Sequence, residues 1–252
     1  KYLLMENLNQ KSDLANRYDL AACYRLCHYY GFTDRINTHI SSRATDNPDE
    51  FYLNPVGLLF DEVKASNLVR LTLGGKKVDI DSLFNFNKAG YMIHSAVLSN
   101  RSDINCVIHH HSIASMVVGA LDVGLMYLTQ HSLQFYKKVG YNSYSGFGLD
   151  INEEKKRLAN DLSDNDVLFM RNHGVIVTGE SVGEAFCRMD DLEKACKTQI
   201  EILSTNHKII QPSKEVSELT KLQYDSIGRP AAETEWPAMK RMLDRFGLDY
   251  KS

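Results

Sequence analysis

Hydrophobic positions in the first part of the chain repeat at helical spacing and then change to short strand-like runs. Apolar residues between Ser12 and Tyr30 recur about every three to four positions, which predicts an amphipathic helix that Gly31 would end. Gly74 and Gly75 predict a hairpin turn farther along the chain. Turn-forming pairs separate the apolar runs that predict strands at Ile36–Ser42, Phe51–Leu53, Leu58–Phe60, Leu68–Leu73 and Lys77–Ile80.

Helices and strands alternate irregularly in the rest of the chain. Helices are predicted over Asn87–Ser99 and Leu149–Leu162, and a long one from Ser181, which forms a capping box with Glu184. Further strands are predicted at Asn105–Ile113, leading into a helix or loop, at Asp166–Met170 and at Val175–Gly179. This order favours an α/β protein with a mixed or antiparallel sheet and helices on its faces.

The chain of 252 residues is long enough for one large domain or two small ones. Its weakest point is the polar stretch 208–219, which contains Pro212 and predicts a linker. The apolar residues beyond it would cover one face of a helix over 233–247: Trp236, Met239, Met242, Leu243 and Phe246. We therefore predict a single domain over residues 1–252, with this last helix docked on the body or on a neighbouring subunit.

Composition and charge narrow the class of protein. The net charge of −3 argues against nucleic acid as a partner, because phosphate binding needs a concentrated basic face. No apolar run approaches the ~20 residues that cross a bilayer, and the segment KYLLMENLNQ is too polar for a signal peptide. Five cysteines without a CxxC pair favour reduced thiols. We expect a soluble cytoplasmic protein that binds neither nucleic acid nor membranes.

Three adjacent histidines end the apolar run that begins at Asn105. In a strand, side chains alternate between faces, so His109 and His111 would point to one side and His110 to the other. Their Cβ atoms would lie ~6.5–7 Å apart, which allows both rings to reach one metal ion. His173 lies in an Asn-His-Gly turn after another apolar strand. A site of three histidines is therefore plausible, although periodicity does not show that they meet.

The segments that carry these histidines, VIHHHS and MRNHGVIVTGES, resemble the paired metal motifs of class II aldolases, whose relatives include fuculose-phosphate aldolase and ribulose-phosphate epimerase. THISSR resembles the family's GNxSxR segment, and NPVGLLFDEV its TPTG segment. INTHISSR and WPAMKRMLDRFGLDY are closer to the adducin head and its bacterial homologues. The resemblance implies a three-layer α/β/α fold with a central mixed, largely antiparallel sheet, and a homo-oligomer, most often a tetramer.

The same resemblance makes His109, His111 and His173 the ligands of one divalent metal per chain. Zinc is the ion we favour, and Mn²⁺, Fe²⁺ and Co²⁺ stay open, because neutral imidazole suits several transition metals. His94 matches a recurrent histidine of the family on the preceding helix. It could support a metal ligand through a hydrogen bond, or it could be an ordinary core histidine.

Gly90 and His39 depart from the family pattern. The acid/base glutamate of the aldolases is Gly90 here, and glycine can neither bind a metal nor move a proton. The asparagine of the GNxSxR segment is His39. An aldolase or epimerase needs a general base, and His39, Tyr136 and Tyr141 are candidates to replace the glutamate. For each of these three residues taken singly, a packing or surface role is the favoured alternative.

The family's substrate-phosphate pocket is altered as well. Gly57 keeps the glycine of the TPTG-like turn, whereas Lys88 replaces a serine. Lys88 could bind a carboxylate or phosphate together with Gly57 and His39, or it could be an exposed lysine in the first turn of a helix. The sequence thus predicts a metal-dependent lyase or isomerase acting on a small carbonyl or sugar-like substrate. The alternative is a catalytically inactive oligomeric scaffold like the adducin head, which the loss at Gly90 favours.

Overall fold

A computed structural model describes residues 2–146, 151–227 and 234–252. In these ranges the strands are β1 (His39–Arg43), β2 (Glu50–Leu53), β3 (Val69–Thr72), β4 (Cys106–His110), β5 (Val139–Asn142), β6 (Val167–Met170) and β7 (Gly174–Gly179). The helices are α1 (Tyr2–Tyr30), α2 (Lys88–Asn100), α3 (Ile113–Ala120), α4 (Gln130–Leu133), α5 (Ile151–Leu162), α6 (Val182–Ser204), α7 (Lys214–Ile227) and α8 (Trp236–Arg245).

The described strands form one seven-stranded sheet in the order β3-β2-β1-β4-β7-β6-β5. Neighbouring strands are antiparallel except β5 and β6, which are parallel. A parallel pair needs a crossover connection, and α5 supplies it between these two strands. The predicted mixed, largely antiparallel sheet with helices on its faces is therefore confirmed.

Alternation along the central strands divides the apolar core between the two faces of the sheet. On β4, Cys106 and Ile108 pack on the face covered by α1, α3 and α6. Val107 points to the opposite face, where α2 and α5 pack. This alternation continues into the histidines, and it sends His109 toward α2 and His110 toward α6. The sheet thus separates the two histidines before any tertiary contact is considered.

The segment Leu58–Phe60 was predicted to be a strand, and this prediction is wrong. Asn54 and Pro55 end β2, and the chain turns at Gly57, whose φ of +92° is in the region that favours glycine. A 3₁₀ helix over Phe60–Glu62 follows, and the carboxylate of Glu62 accepts a hydrogen bond from the Leu59 amide at 2.8 Å. This local cap competes with a strand for the same backbone groups.

The segment Lys77–Ile80 also differs from the prediction. A turn is present at Gly74–Gly75, but the returning chain pairs with β3 only through the bridge between Leu71 and Lys77. Ile80 is 80% exposed, so a strand over this segment would bury no apolar face. A strand without such a face gains little from pairing.

Strand β5 and helices α3, α4 and α7 were not predicted from the sequence. Strand β5 and helix α3 occupy segments that had been left unassigned or open, and α3 begins where the Ser112 side chain accepts a hydrogen bond from the Ser115 amide. Helix α7 begins at Lys214, inside the stretch 208–219 that was predicted to be a linker. The start of the predicted helix Leu149–Leu162 lies partly outside the described residues, and α5 is described from Ile151.

Helix α8 lies within the predicted carboxyl-terminal helix and packs against α1 and α6. Trp236 and Leu243 are buried, and Lys240 forms an ion pair with Asp19 of α1 at 2.6 Å. Arg25 of α1 donates a hydrogen bond to the carbonyl of Asp249 at 3.0 Å. Apolar contacts and charged contacts therefore both fix the end of the chain on the body.

In the described ranges no helix is both long and apolar enough to span a bilayer.

Candidate metal centre

Two rings of the candidate site come from the end of β4. His109 lies opposite His39 of β1 on one side and opposite Ile176 of β7 on the other, so its backbone is fixed in the middle of the sheet. His111 follows the last residue of the strand, immediately before the cap of α3. The centroids of the His109 and His111 rings are 4.8 Å apart.

The third ring comes from the tight turn between β6 and β7. Asn172 has a φ of +59°, which asparagine tolerates better than most residues, and the His173 amide donates to the Met170 carbonyl at 3.0 Å. Gly174 is required here, because a Cβ at this position would lie 2.6 Å from the carbonyl oxygen of His110 and 2.7 Å from Cδ2 of His111. The absent side chain lets the turn approach β4.

The three rings converge. The His173 centroid lies 5.0 Å from that of His109 and 4.9 Å from that of His111. One nitrogen of each ring can be chosen so that all three lie within 4.8 Å of one another. Three imidazole nitrogens in this arrangement could hold one metal ion.

Hydrogen bonds fix the tautomers of two rings. Nδ1 of His109 lies 3.1 Å from the Val175 carbonyl, and Nδ1 of His111 lies 3.1 Å from the Asp34 carboxylate. Both partners are acceptors, so each Nδ1 carries a proton, and each Nε2 of a neutral ring is then a lone pair. These two Nε2 atoms lie 3.0 Å apart. Two facing lone pairs repel unless a metal ion or a proton lies between them, so the donor set fits a metal ion.

Electrostatics favour the neutral rings that a metal requires. Burial lowers the pKa of His109 well below its ordinary value, and the neighbouring histidines add to this shift. Burial, with a contribution from His111, lowers the pKa of His173 to about 4. The hydrogen bond from His111 lowers the pKa of Asp34, which keeps that carboxylate ionised as an acceptor.

A second group of histidines lies beside the first on the α2 side of the sheet. Nδ1 of His39 and Nε2 of His94 are hydrogen-bonded at 2.9 Å, and Nδ1 of His94 is hydrogen-bonded to Oγ of Ser41 at 2.5 Å. Burial lowers the pKa of His39 to about 3 and that of His94 well below its ordinary value. His94 therefore contacts His39, and its described hydrogen bonds do not include a member of the three-histidine group.

His110 lies on the opposite face of β4, as strand alternation predicts. Its Nδ1 accepts a hydrogen bond from the Ser112 amide at 3.2 Å, and its ring contacts Phe32. Burial lowers its pKa to about 3. It takes no part in the convergence of the other three rings.

Gly57 and Lys88 belong to two segments that a backbone hydrogen bond joins. The Val56 amide donates to the Asn85 carbonyl at 2.8 Å, which ties the Gly57 turn to the segment before Lys88. Lys88 is the exposed first residue of the helix. Lys88 is therefore in the first turn of the helix, as expected from the sequence, and its role in binding an anion stays a prediction.

The structure does not bring Tyr136 or Tyr141 to the three histidines within the described part of one chain. The hydroxyl of Tyr141 accepts a hydrogen bond from the Leu125 amide at 2.8 Å, and its ring stacks on Phe169. Tyr136 packs edge-on against Tyr127. Their described contacts are those of packing residues.

Sequence reasoning missed Asp34. The only available signal was an acidic residue in the short segment after α1, and such residues are common on surfaces. It also missed a cavity of about 420 Å³ beside His111, which Phe32, Ile113 and Glu193 help to line. This volume is in the range of small-molecule sites.

Comparison with known proteins identifies the family of this chain. Residues 18–200 match the Class II Aldolase and Adducin N-terminal domain, so the chain belongs to that family. Rat α-adducin is 35% identical over an alignment of 256 residues, which covers 94% of this chain and 34% of the adducin. The chain therefore spans about a third of the adducin's length.

Solved structures show the same fold. An aldolase II superfamily protein from Pseudomonas syringae superimposes with a TM-score of 0.89 at 39% identity, covering 95% of this chain and 96% of that chain. L-fuculose 1-phosphate aldolase from Glaciozyma antarctica superimposes with a TM-score of 0.83 at 23% identity, covering 97% and 94%. At 23% identity, the similarity to the Glaciozyma antarctica enzyme shows a shared fold and nothing more.

Proposed function

We propose that this chain binds one divalent metal ion, with zinc favoured, through His109, His111 and His173, and acts as a lyase or isomerase. Its substrate would be a small carbonyl or sugar-like molecule. The observation that carries the proposal is the pair of facing Nε2 atoms of His109 and His111, 3.0 Å apart with both Nδ1 atoms already bonded to acceptors. A bound metal ion would remove the repulsion between these two nitrogen lone pairs.

A divalent ion with three histidine ligands and an open position can polarise a carbonyl, stabilise an enediolate or activate water. The chain's own residues prepare the site for it. Val175 and Asp34 orient the rings of His109 and His111, and burial lowers the pKa values of His109 and His173, which keeps those two imidazoles neutral. A small substrate would approach from the cavity that His111 helps to line, and Gly57 and Lys88 would bind an anionic substituent.

Candidates for the acid/base role differ in what supports them. His39 lies in the same side-chain layer as the three histidines, with its ring stacked on His109 at a centroid distance of 5.0 Å. Tyr136 and Tyr141 would have to reach the site of another subunit.

We propose that the protein is a cytoplasmic homo-oligomer, most simply a tetramer, whose 1–252 chain folds as one domain. Light scattering would measure the assembly.

A second candidate function is an oligomeric scaffold without catalysis. The observation that favours it is Gly90, which removes the acid/base side chain that the aldolase resemblance leads one to expect. The similarity to α-adducin, which the chain spans only in part, is compatible with the same idea. A scaffold would keep its assembly when the histidines of the metal site are removed.

Metal analysis is the experiment that tests the proposal. Protein stripped with a chelator and reloaded with Zn²⁺ or Co²⁺ should bind about one ion per chain, and His111→Ala should bind less than a tenth as tightly. His207→Ala, which removes an exposed histidine elsewhere, should bind as the parent does. Failure of the parent protein to bind any of these ions would reject the metal site. A metal-loaded protein that cleaves or isomerises no member of a panel of small hydroxy-carbonyls would favour the scaffold.

A further inference from the structure

Gly90 and His39 compete for one space. A Cβ added to Gly90 would lie 2.8 Å from Cδ2 of His39 and 3.1 Å from both Cγ and Nε2 of the same ring. The first of these distances is far below ordinary carbon contact, and the ring is not a flexible side-chain end. The imidazole of His39 therefore fills the volume into which any side chain on α2 at position 90 would extend.

His39 is held in that volume from two directions. Its Nδ1 is bonded to His94 of α2, which is in turn bonded to Ser41, two residues farther along β1. The register of β1 and β4 places His39 directly opposite His109, and the two rings stack with planes 28° apart. His39 is only 4% exposed, so it has little freedom to leave this position.

The ring lies beside the three-histidine group rather than within it. Its ring contacts are with His94 and His109, and the group whose nitrogens converge is made of His109, His111 and His173. In the part of the chain that the structure describes, Nε2 of His39 has no hydrogen-bond partner. A nitrogen that lacks a partner next to a metal site is available to a molecule bound there.

We propose that His39 takes the place of a residue-90 side chain, and that its Nε2 forms a hydrogen bond with an oxygen atom of a small hydroxy-carbonyl or hydroxy-acid ligand at the metal. The polar group beside the metal site is then supplied by His39 of β1 instead of a side chain at position 90 of α2. His39 is a residue that positions the ligand and not a fourth metal ligand. The second part of this inference rests on the proposed metal site, whereas the shared space does not.

The shared space is tested on metal-free protein. Gly90→Ala should lower the urea midpoint of unfolding in the parent, because the new Cβ displaces a buried, hydrogen-bonded ring. In a His39→Ala background the same change should leave the midpoint unchanged or raise it, because the space is empty and alanine favours a helix over glycine. An equal decrease in both backgrounds would overturn the inference that the two residues share one space.

The role at the metal is tested on Co²⁺-loaded protein with glycolate, which offers a hydroxyl and a carboxylate oxygen to the ion. His39→Ala should bind Co²⁺ within about threefold of the parent but glycolate about tenfold more weakly, as expected for one lost hydrogen bond. Gly90→Ala should weaken glycolate binding similarly, and the double variant no further. His207→Ala is the control. Absorption of the bound Co²⁺ reports both titrations.

Each outcome has a separate meaning. A loss of Co²⁺ affinity in His39→Ala as large as that in His111→Ala would make His39 a ligand and overturn the positioning role. Unchanged glycolate affinity in His39→Ala, or losses that add in the double variant, would overturn it as well. If the parent binds no ion, the proposed function and the ligand-positioning role both fail, and the urea experiment still decides whether positions 39 and 90 share one space.

Discussion

Asp34 holds the ring of His111 through a 3.1 Å contact between its carboxylate and Nδ1, although 77 positions separate the two residues. Asp34 lies in the segment between α1 and β1, whereas His111 follows β4. The contact is partly buried, and the neighbouring Arg35 lies 3.4 Å from the other carboxylate oxygen. An acidic residue outside the sheet thus sets which nitrogen of His111 faces the other two rings.

Removing this carboxylate should weaken metal binding. Asp34→Ala leaves His111 free to rotate or change tautomer, and outer partners of ligating histidines are commonly worth ~10–100-fold in metal affinity. Asp34→Asn keeps an acceptor oxygen and should lose less. Competition with a chromophoric chelator measures both affinities. Equal affinities for the parent and Asp34→Ala would show that Asp34 does not orient His111.

Removing the metal should lower the stability of the folded protein. A ligand that binds only the native state adds about 2.7 kcal/mol to the free energy of unfolding at a hundred times its dissociation constant. A chelator should therefore lower the melting temperature, and added Zn²⁺ should restore it. His173→Ala provides the control, because its melting temperature should respond to neither treatment. A parent protein that melts at the same temperature with and without metal would contradict the prediction.

Acid should destabilise the metal-free protein below about pH 6.5. The pKa is lowered to about 3 for His39 and His110 and to about 4 for His173, from 6.5 in the unfolded chain. Because the folded pKa values are depressed, the unfolded state binds more protons between these limits, and stability falls as the pH falls. For a fully buried histidine the loss is roughly 3 kcal/mol by pH 4.

Urea unfolding at several pH values measures this loss. The free energy of unfolding should be nearly constant above pH 6.5 with respect to these groups and should decrease steadily below it. His110→Asn removes one titrating ring on the far face of β4 and should flatten the decrease, whereas His207→Ala should not. Stability that is the same at about pH 7 and about pH 4.5 would be incompatible with neutral buried histidines.

Arg43 should be essential for stability although it lies outside the metal site. Its buried guanidinium donates to the carbonyls of Pro48, Leu98 and Ile104 at distances of 2.6 to 3.3 Å, joining β1 to the end of α2. Arg43→Lys retains the charge but cannot reach these carbonyls together. It should lower the free energy of unfolding by roughly 2–4 kcal/mol, because buried carbonyls lose their donors. Urea unfolding measures this loss, and a change below about 0.5 kcal/mol would contradict it.

The docking of α8 can be followed by fluorescence, because Trp236 is the only tryptophan in the chain. A Cβ at Gly183 of α6 would lie 2.5 Å from Cγ of Trp236, so Gly183→Ala should displace the indole toward water and shift its emission to longer wavelength. Gly74→Ala, whose new Cβ meets its nearest atom at 3.7 Å, is the matched control. An unshifted spectrum in Gly183→Ala would mean that α8 does not pack on α6 as described.

The site could be predicted from sequence where local geometry decides it. The two-residue period of a strand separates His110 from His109. The family resemblance adds His173, so the three converging rings are those that the sequence predicts. The mixed or antiparallel sheet was predicted from the irregular order of helices and strands. That a metal ion occupies the site stays a prediction.

The features that could not be predicted depend on contacts between distant segments. Asp34 differs from any other surface aspartate only by its distance to His111, and Gly90 is informative only once His39 is seen to fill its space. The errors at Leu58–Phe60 and at 208–219 have a different origin. At Leu58–Phe60 the side chain of Glu62 caps a 3₁₀ helix where an apolar run suggests a strand. In 208–219 the helix α7 buries only a narrow face, so its polar sequence resembles a linker.

The pairing of β1 with β4 makes the site sensitive to the length of a short segment. Loops elsewhere can gain or lose residues at little cost. One residue added to or removed from the chain between α1 and β1 could shift β1 by one place, turn His39 to the far face and bring the aliphatic Ile40 opposite His109. Relatives that share this chemistry should therefore keep that spacing unchanged, which can be read from their sequences without solving a structure.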